Sequence, residues 1–102
     1  MPVDDVIALI KVETIKDKYG VSRTQETSRQ DVFCVRGSIS RAEWFEGART
    51  GLNPQIVFTI HSAEYDNESI VEFDGTKYCV YRTYKPDEDH IELYCEYKKG
   101  TS

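Results

Sequence analysis

The stretch Ser69-Ile-Val-Glu-Phe-Asp-Gly-Thr-Lys-Tyr-Cys-Val-Tyr-Arg-Thr-Tyr84 decides the fold, because it predicts a β-hairpin whose register follows from its turn. Asp74-Gly75, between two alternating apolar runs, is a strong signal for a two-residue hairpin turn. That turn fixes three cross-strand pairs: Phe73 with Thr76, Glu72 with Lys77, and Val71 with Tyr78. The second pair sets opposite charges face to face, which supports the register.

A second hairpin is predicted from Tyr81 to Tyr97, around a four-residue loop that begins at Pro86. It predicts the pairs Tyr84 with Ile91, Arg82 with Leu93, and Val80 with Cys95. The two turns place most apolar side chains on one inward face: Val71, Phe73, Tyr78, Val80, Tyr84, Ile91, Leu93, Cys95 and Tyr97. Tyr81 then lies opposite Tyr94 on the outer face. Arg82 is the misfit on the inner face, where we expect it to extend its charged end into water.

Further strands are predicted upstream of these hairpins. Apolar runs from Val6 to Val12, from Val32 to Arg36 and from Gln55 to His61 are strand-like. The polar stretch from Lys16 to Gln30 predicts either a long loop or a hairpin tip.

A short helix precedes the third of these strands. Ser40 and Glu43 have the spacing of a capping box, and Gly51 supplies a C-terminal stop. Trp44 and Phe45 are expected to bury against the sheet, because a helix of about nine residues is marginal without such an anchor.

These elements predict one domain spanning residues 1–102. The fold class is mainly β: a small antiparallel barrel or sandwich of five or six strands with one short helix. Hydrophobic residues make up 39% of the chain and charged residues 30%, an ordinary balance for a water-soluble domain.

Charge and cysteine content limit the classes of function. The net charge of −5 argues against tight general binding to nucleic acid. No apolar run approaches the roughly 20 residues of a membrane span, and the acidic N-terminus is unlike a secretory signal, so we expect a cytoplasmic protein without membrane contact. Cys34, Cys79 and Cys95 are widely spaced within strands and are expected to be buried thiols in a reducing compartment, with no disulfide framework or zinc site.

Several blocks together resemble one family. They are Ser40-x-x-Glu43-Trp44-Phe45-x-x-Ala48, Thr50-Gly51-Leu52-x-Pro54, Ile56-Val57-Phe58, Phe73-Asp74-Gly75-x-x-Tyr78-x-Val80-Tyr81-Arg82-Thr83-Tyr84, and Ile91-Glu92-Leu93-Tyr94-Cys95-Glu96. In order and spacing the chain resembles the head–tail joining proteins (head closure, or stopper, proteins) of tailed siphophages and of prophages in Gram-positive bacteria. The resemblance covers nearly the whole chain, and its blocks are patterns of fold rather than of chemistry.

The resemblance implies a β-barrel subunit that forms a ring beneath the portal and its adaptor. Such a ring closes the DNA-filled capsid and offers a docking surface to the tail. The implied partners are portal, adaptor and tail proteins of the same phage, together with further copies of this chain. The family is monomeric until it meets the connector and has no enzymatic activity and no cofactor. Its members are found in the host cytoplasm during assembly and then in the virion.

Two sets of residues are candidates for contact with partners. Tyr81 and Tyr94 predict either an interface between subunits or an ordinary cross-strand pair. Lys18, Tyr19 and Arg23 lie in the polar stretch, which is either a functional tip that orders on assembly or a solvated hairpin end. The resemblance identifies none of these residues as a known contact.

Other readings remain open at this point. An oligonucleotide-binding small barrel would use aromatic platforms and basic residues, and a tail terminator would share the small β-fold. Three acidic residues from Asp87 to Asp89 form either a solvated turn or a cation site without regular ligand spacing. His61 or His90 with a cysteine could form a nucleophile–base pair, but we expect no enzyme, because the chain lacks a nucleophile motif and a phosphate loop.

Overall fold

The computed structural model describes residues 5–97, so most of the acidic N-terminus discussed above lies outside the described residues. Its elements are β1 (Asp5–Lys16), β2 (Ser22–Gly37), α1 (Arg41–Arg49), β3 (Pro54–His61), a short 3-10 helix (Ser62–Glu64), β4 (Ile70–Phe73), β5 (Thr76–Tyr84) and β6 (His90–Tyr97).

The six strands close into an antiparallel barrel in the order β1-β2-β3-β6-β5-β4. This confirms the mainly β class with one short helix and selects the barrel with six strands. The two joins that complete the ring are short: β1 pairs with β4 through Ala8–Ile10, and β2 pairs with β3 through Val35–Gly37. Closure satisfies the backbone groups that the edge strands of an open sheet would expose.

The first hairpin has the register that its turn predicts. The pairs Phe73 with Thr76, Glu72 with Lys77, and Val71 with Tyr78 are all present. Asp74 and Gly75 both have positive φ, at 51° and 79°, as a two-residue turn of this hand requires.

The register of the second hairpin is right only in part. Val80 pairs with Cys95 as predicted, but a bulge at Tyr81 shifts the later pairs by one residue. Arg82 therefore faces Tyr94 rather than Leu93, and Tyr84 faces Glu92 rather than Ile91. Because one inserted residue reverses which side chains point inward, the bulge removes Arg82 from the inner face.

Two tyrosines expected on the inner face are about half exposed. Tyr84 lies beyond the bulge, on the same side as Glu92, and is 55% exposed. Tyr97 lies at the end of β6, where its ring stacks on Tyr78 at 5.4 Å between centroids and stays open to solvent.

The polar stretch from Lys16 to Gln30 is the far end of the β1–β2 hairpin. The long-loop reading is wrong for the residues after Ser22, which belong to β2 and pair with β1 as far as Lys16. Cross-strand hydrogen bonding holds this segment extended even though its side chains are exposed. Residues 11–30 form the part of the hairpin that begins beside the β1–β4 join and extends past it, and we call them the arm.

The barrel core is apolar and continuous around Phe58, whose ring contacts Phe73 and Tyr78. The buried members of this core are Ile7, Leu9, Val32, Cys34, Phe58, Ile60, Val71, Ile91, Leu93 and Cys95. A second cluster on the other side of β1 buries Ala8, Ile10 and Ile70, with Cys79 packed against it. The unbroken apolar run in β1 follows from burial on both faces.

The helix begins and ends where the sequence predicts. The Ser40 Oγ accepts a hydrogen bond from the Glu43 backbone N–H at 3.1 Å, and Gly51 follows the last turn with φ 87°. The expected burial of Trp44 and Phe45 is wrong: they are 45% and 56% exposed, and their rings meet edge to face.

The helix docks instead through Gly47, its one buried residue. A Cβ at this position would lie 2.6 Å from the Pro54 ring, so only glycine permits this approach to β3. Close contact at Gly47 leaves the two aromatic side chains beside the contact rather than beneath the helix.

Candidate interaction surfaces

Glu43 joins the helix to the outer face of the barrel. Its carboxylate accepts hydrogen bonds from the Tyr81 hydroxyl at 2.8 Å and from two nitrogens of the Arg82 guanidinium. The guanidinium also lies 3.7 Å from the centroid of the Tyr94 ring, a cation–π contact. The bulge at Tyr81 makes this arrangement possible because it brings two consecutive residues of β5 to the same carboxylate.

The charges of this cluster shift the pKa values of its members. The hydrogen bond from Arg82 lowers the pKa of Glu43 below its ordinary value, and Tyr81 lowers it further. Burial raises the pKa of Tyr81, and the bond to Glu43 adds to the rise. Both shifts favour the observed pairing, with an ionised carboxylate and a protonated tyrosine.

Tyr81 and Tyr94 therefore both make contacts within their own chain. Their rings meet edge to face with centroids 6.5 Å apart. The sequence predicted that they are directly opposite each other, but Tyr94 pairs with Arg82 instead. The Tyr94 hydroxyl donates to Glu92 at 2.7 Å, and both side chains are only partly exposed. Their role between subunits stays a prediction.

Beside the helix lies an open depression with polar and apolar lining, which we call the helix-side groove. It has a volume of about 760 Å³ and is bounded by the end of β2, the start of β3 and the first turn of α1. Its apolar lining includes Val35, Ile39, Trp44, Pro54 and Ile56. Trp44, whose side chain was expected to be buried, thus forms one wall of a surface groove.

The outer faces of β1 and β2 add one exposed apolar side chain each beside this groove. Phe33 is 66% exposed and lies opposite Val6, which is also exposed. Val35 is two residues further along β2 and belongs to the groove itself. The outward positions of Phe33 and Val35 were predictable from alternation, since Val32 and Cys34 of the same strand occupy inner positions.

The tip of the arm contains the predicted loop residues. The turn from Asp17 to Val21 is closed by a hydrogen bond from the Asp17 N–H to the Val21 carbonyl at 3.1 Å. Lys18 and Tyr19 lie in this turn, with the ammonium 5.1 Å from the ring centroid, whereas Arg23 lies in β2 opposite Ile15. All three candidate residues are exposed, and Tyr19, at 78%, is the most exposed large hydrophobic side chain within residues 5–97.

The two histidines are stacked at the other end of β3 and β6. His61 and His90 are cross-strand partners with ring centroids 5.2 Å apart, and His90 Nδ1 lies 3.0 Å from an Asp87 carboxylate oxygen. That oxygen also accepts the backbone N–H groups of Asp89 and His90, so Asp87 closes its own turn. Within residues 5–97 no group of three or more histidine, cysteine or acidic side chains could hold a metal ion.

The cysteines lie in the strands as expected. Cys34 and Cys95 are buried, and Cys79 is partly buried. Burial raises the pKa of Cys95 to about 12, so its thiol is protonated at neutral pH and is a poor nucleophile.

Comparison with known proteins adds no family assignment. The sequence matches no protein-family model, and no curated protein is significantly similar to it. Among the helices of the described residues, none is long and apolar enough to cross a membrane.

Proposed function

We propose that this protein is a subunit of the head closure ring in a phage head–tail connector. The ring would seal the DNA-filled capsid beneath the portal and adaptor and would present a docking surface to the tail. The resemblance in sequence motivates this proposal. The observation that carries it is the arm, a polar two-stranded projection from a closed barrel whose distal half has only exposed side chains.

An arm of this kind is physically costly without a partner. An isolated two-stranded hairpin is marginally stable in water, and the described contacts anchor only the proximal part of this one. Three ion pairs hold that part to the body: Lys11 with Asp66, Arg29 with Glu72, and Lys77 with Glu26. The distal residues 13–25 are then available to contact another protein.

The charge distribution suits a ring that surrounds DNA. The arm carries five basic and three acidic residues, a net charge of +2, so the rest of the chain has a net charge of −7. A ring that presents the body to its channel would repel phosphates and let DNA pass without binding. A basic or neutral channel face in the assembled ring would contradict this part of the proposal.

The oligonucleotide-binding alternative is less well supported by the geometry. The aromatic and basic residues that made it attractive are Tyr81, Arg82 and Tyr94. The first two are bound to Glu43, and the Arg82 guanidinium covers the face of the Tyr94 ring. A nucleotide base would have to displace these contacts before stacking.

Light scattering after size-exclusion chromatography tests the proposal. The protein is run alone, with the portal–adaptor complex, and with portal lacking adaptor as the matched control. We expect a monomer of 11.8 kDa alone and co-elution of several copies with the portal–adaptor complex only. If the protein remains a monomer and does not co-elute with the portal–adaptor complex, the head closure proposal is wrong. The same protein would then be titrated with single-stranded DNA and with tail proteins, to test the oligonucleotide and tail terminator alternatives.

A further inference from the structure

The tip of the arm carries three exposed apolar side chains on an otherwise polar projection. Ile15, Tyr19 and Val21 are all exposed there, and Ile15 is one residue pair away from the end of the turn. From Ser22 to Asp31 the facing strand carries only polar and charged side chains. Exposed apolar side chains that are grouped at the end of a projection are typical of a surface that inserts into another one.

The helix-side groove has the complementary character. It is open and concave, and its lining is mixed. Trp44, Val35, Ile39 and Ile56 form an apolar wall beside the polar side chains of Asp5, Arg36, Ser38 and Gln55. Its nearest charged groups, Asp5 and Arg36, are paired with each other at 2.7 Å. An apolar side chain can therefore enter without leaving one of these two charges unpaired.

The tip cannot reach the groove of its own chain. Asp5 and Arg36 lie at one end of the β1–β2 hairpin, and Lys16, paired with Ser22, lies at the other. Lys16 lies eleven residue steps along β1 from Asp5, which at about 3.3 Å per step is roughly 36 Å. The occupant that this chain offers to the groove is thus the tip of a second copy.

Charge favours the same pairing. The arm has a net charge of +2 and the rest of the chain one of −7, so the arm of one copy is attracted to the body of another. Attraction of this kind steers the encounter, while the apolar side chains make the contact itself.

We propose that the arm tip of one copy docks in the helix-side groove of the next copy, with Tyr19 against Trp44. This contact specifies how subunits of the proposed ring would bind one another. It rests on the proposed function, because only that function requires the successive contacts to close into a ring. Because the tip and the groove are different surfaces, the contact is heterologous. Each copy can use its tip to bind one neighbour and its groove to bind the other, as a ring requires.

The size of the contact explains why the free protein would stay monomeric. Three side chains at the tip are far fewer than the 20–30 residues per partner, or roughly 800 Å², of a stable interface. Copies held side by side on the connector would gain effective concentration, which makes a weak contact sufficient.

Disulfide trapping tests the contact at the concentrations where it is weak. Lys18→Cys places a thiol at the tip without removing its apolar side chains, and Gln55→Cys places one at the exposed rim of the groove. The double variant should give a ladder of cross-linked oligomers on oxidation, whereas a mixture of the two single variants should stop at dimers. Wild-type protein, with its three native cysteines, is the oxidation control.

Disruption of either surface should abolish the trapping. Added to the double variant, Tyr19→Asp and Trp44→Asp should each reduce the ladder at least tenfold, while Tyr84→Asp, at an exposed tyrosine outside both surfaces, should leave it unchanged. Circular dichroism checks that each variant is folded, and Ile39→Asp is a second variant of the groove. Absence of the ladder both in free protein and on the connector, or a ladder that survives Trp44→Asp and Ile39→Asp, would overturn the inference.

The outcomes separate this inference from the proposed function. A ladder without binding to the portal–adaptor complex would retain the tip–groove contact and reject head closure. Binding to the complex without any ladder would retain head closure and reject this contact between its subunits, leaving the groove for an adaptor or tail protein.

Discussion

Gly47 decides where the helix lies, because its lack of a Cβ atom lets α1 approach Pro54 closely. A Cβ would come within 2.6 Å and 3.0 Å of two carbons of the Pro54 ring, which is too rigid to move aside. Alanine normally stabilises a helix interior by about 1 kcal/mol relative to glycine, but overpacking costs about 1–3 kcal/mol. We expect Gly47→Ala to lower the free energy of unfolding by about 1 kcal/mol, measured by urea denaturation.

The neighbouring residue provides the matched control for that measurement. Ala48 is exposed on the same helix, so Ala48→Gly reports the local propensity difference alone. If Gly47→Ala were as stabilising as Ala48→Gly is destabilising, the close approach to Pro54 would have no energetic consequence.

Glu43 makes the stability of the chain depend on acid. Its pKa is lowered in the folded state, first by Arg82 and then by Tyr81, so its contribution is complete above its ordinary value of 4.5 and is lost as the pH falls through the lowered value. We expect Glu43→Gln to destabilise the protein by about 1–2 kcal/mol at neutral pH, since it weakens hydrogen bonds between charged groups. The cost should shrink in thermal unfolding experiments taken from about pH 7 to about pH 3.

Glu46 is the control for this acid dependence. It pairs with Arg49 on the same helix, but both side chains are more than 70% exposed, and such pairs contribute little. Glu46→Gln should therefore shift stability by less than about 0.5 kcal/mol at any pH in that range. An equal effect of both substitutions would show that the charge of the helix, and not the contact with Arg82, matters.

At the scale of elements, the arm and the barrel are expected to be energetically separate. Every side chain in residues 15–23 is exposed, and Thr14 pairs with Thr24 just before them. Replacing residues 15–23 by Asn-Gly, a two-residue turn, should leave the free energy of unfolding within about 1 kcal/mol of the wild type. A large fall in thermal stability would instead mean that the distal arm supports the barrel.

The elements also show what alternation and turn chemistry can predict from sequence. The Asp74-Gly75 turn fixes the β4–β5 register residue by residue, because two adjacent positive φ angles allow few other connections. The bulge at Tyr81 could not be predicted in this way, since strict alternation has no signal for one inserted residue. The one indication of the bulge in the sequence was Arg82, because strict alternation placed this charged side chain on the apolar inner face.

The helix illustrates a second limit of the same reasoning. Hydrophobic periodicity predicted that Trp44 and Phe45 anchor α1, yet the contact is made by Gly47 and Pro54, which carry little hydrophobic signal. The groove was missed for the same reason, because Trp44 lines it only while its side chain remains uncovered. The position of the Ser40 cap, which depends on local chemistry alone, was predicted correctly.

At the scale of the whole molecule, the separation of charge between arm and body should control how fast copies meet. Docking of the tip is apolar, so salt should act on the encounter rather than on the seated contact. We expect the initial rate of cross-linking between Lys18→Cys and Gln55→Cys copies to fall as NaCl rises from about 50 to about 500 mM, because screening shortens the range of attraction to a few ångströms. The tip variant keeps four of the five basic residues of the arm, so the attraction persists in it.

Charge reversal on the arm separates steering from docking in this experiment. Lys16→Glu in the Lys18→Cys copy should slow cross-linking at low salt and flatten its salt dependence, since the arm then has a net charge of −1. The reaction of the same thiols with a small neutral disulfide is the control for intrinsic reactivity and should not change. A cross-linking rate that rises with salt in the unreversed pair would show that apolar contact alone brings the copies together, because salt strengthens apolar association while it screens charge.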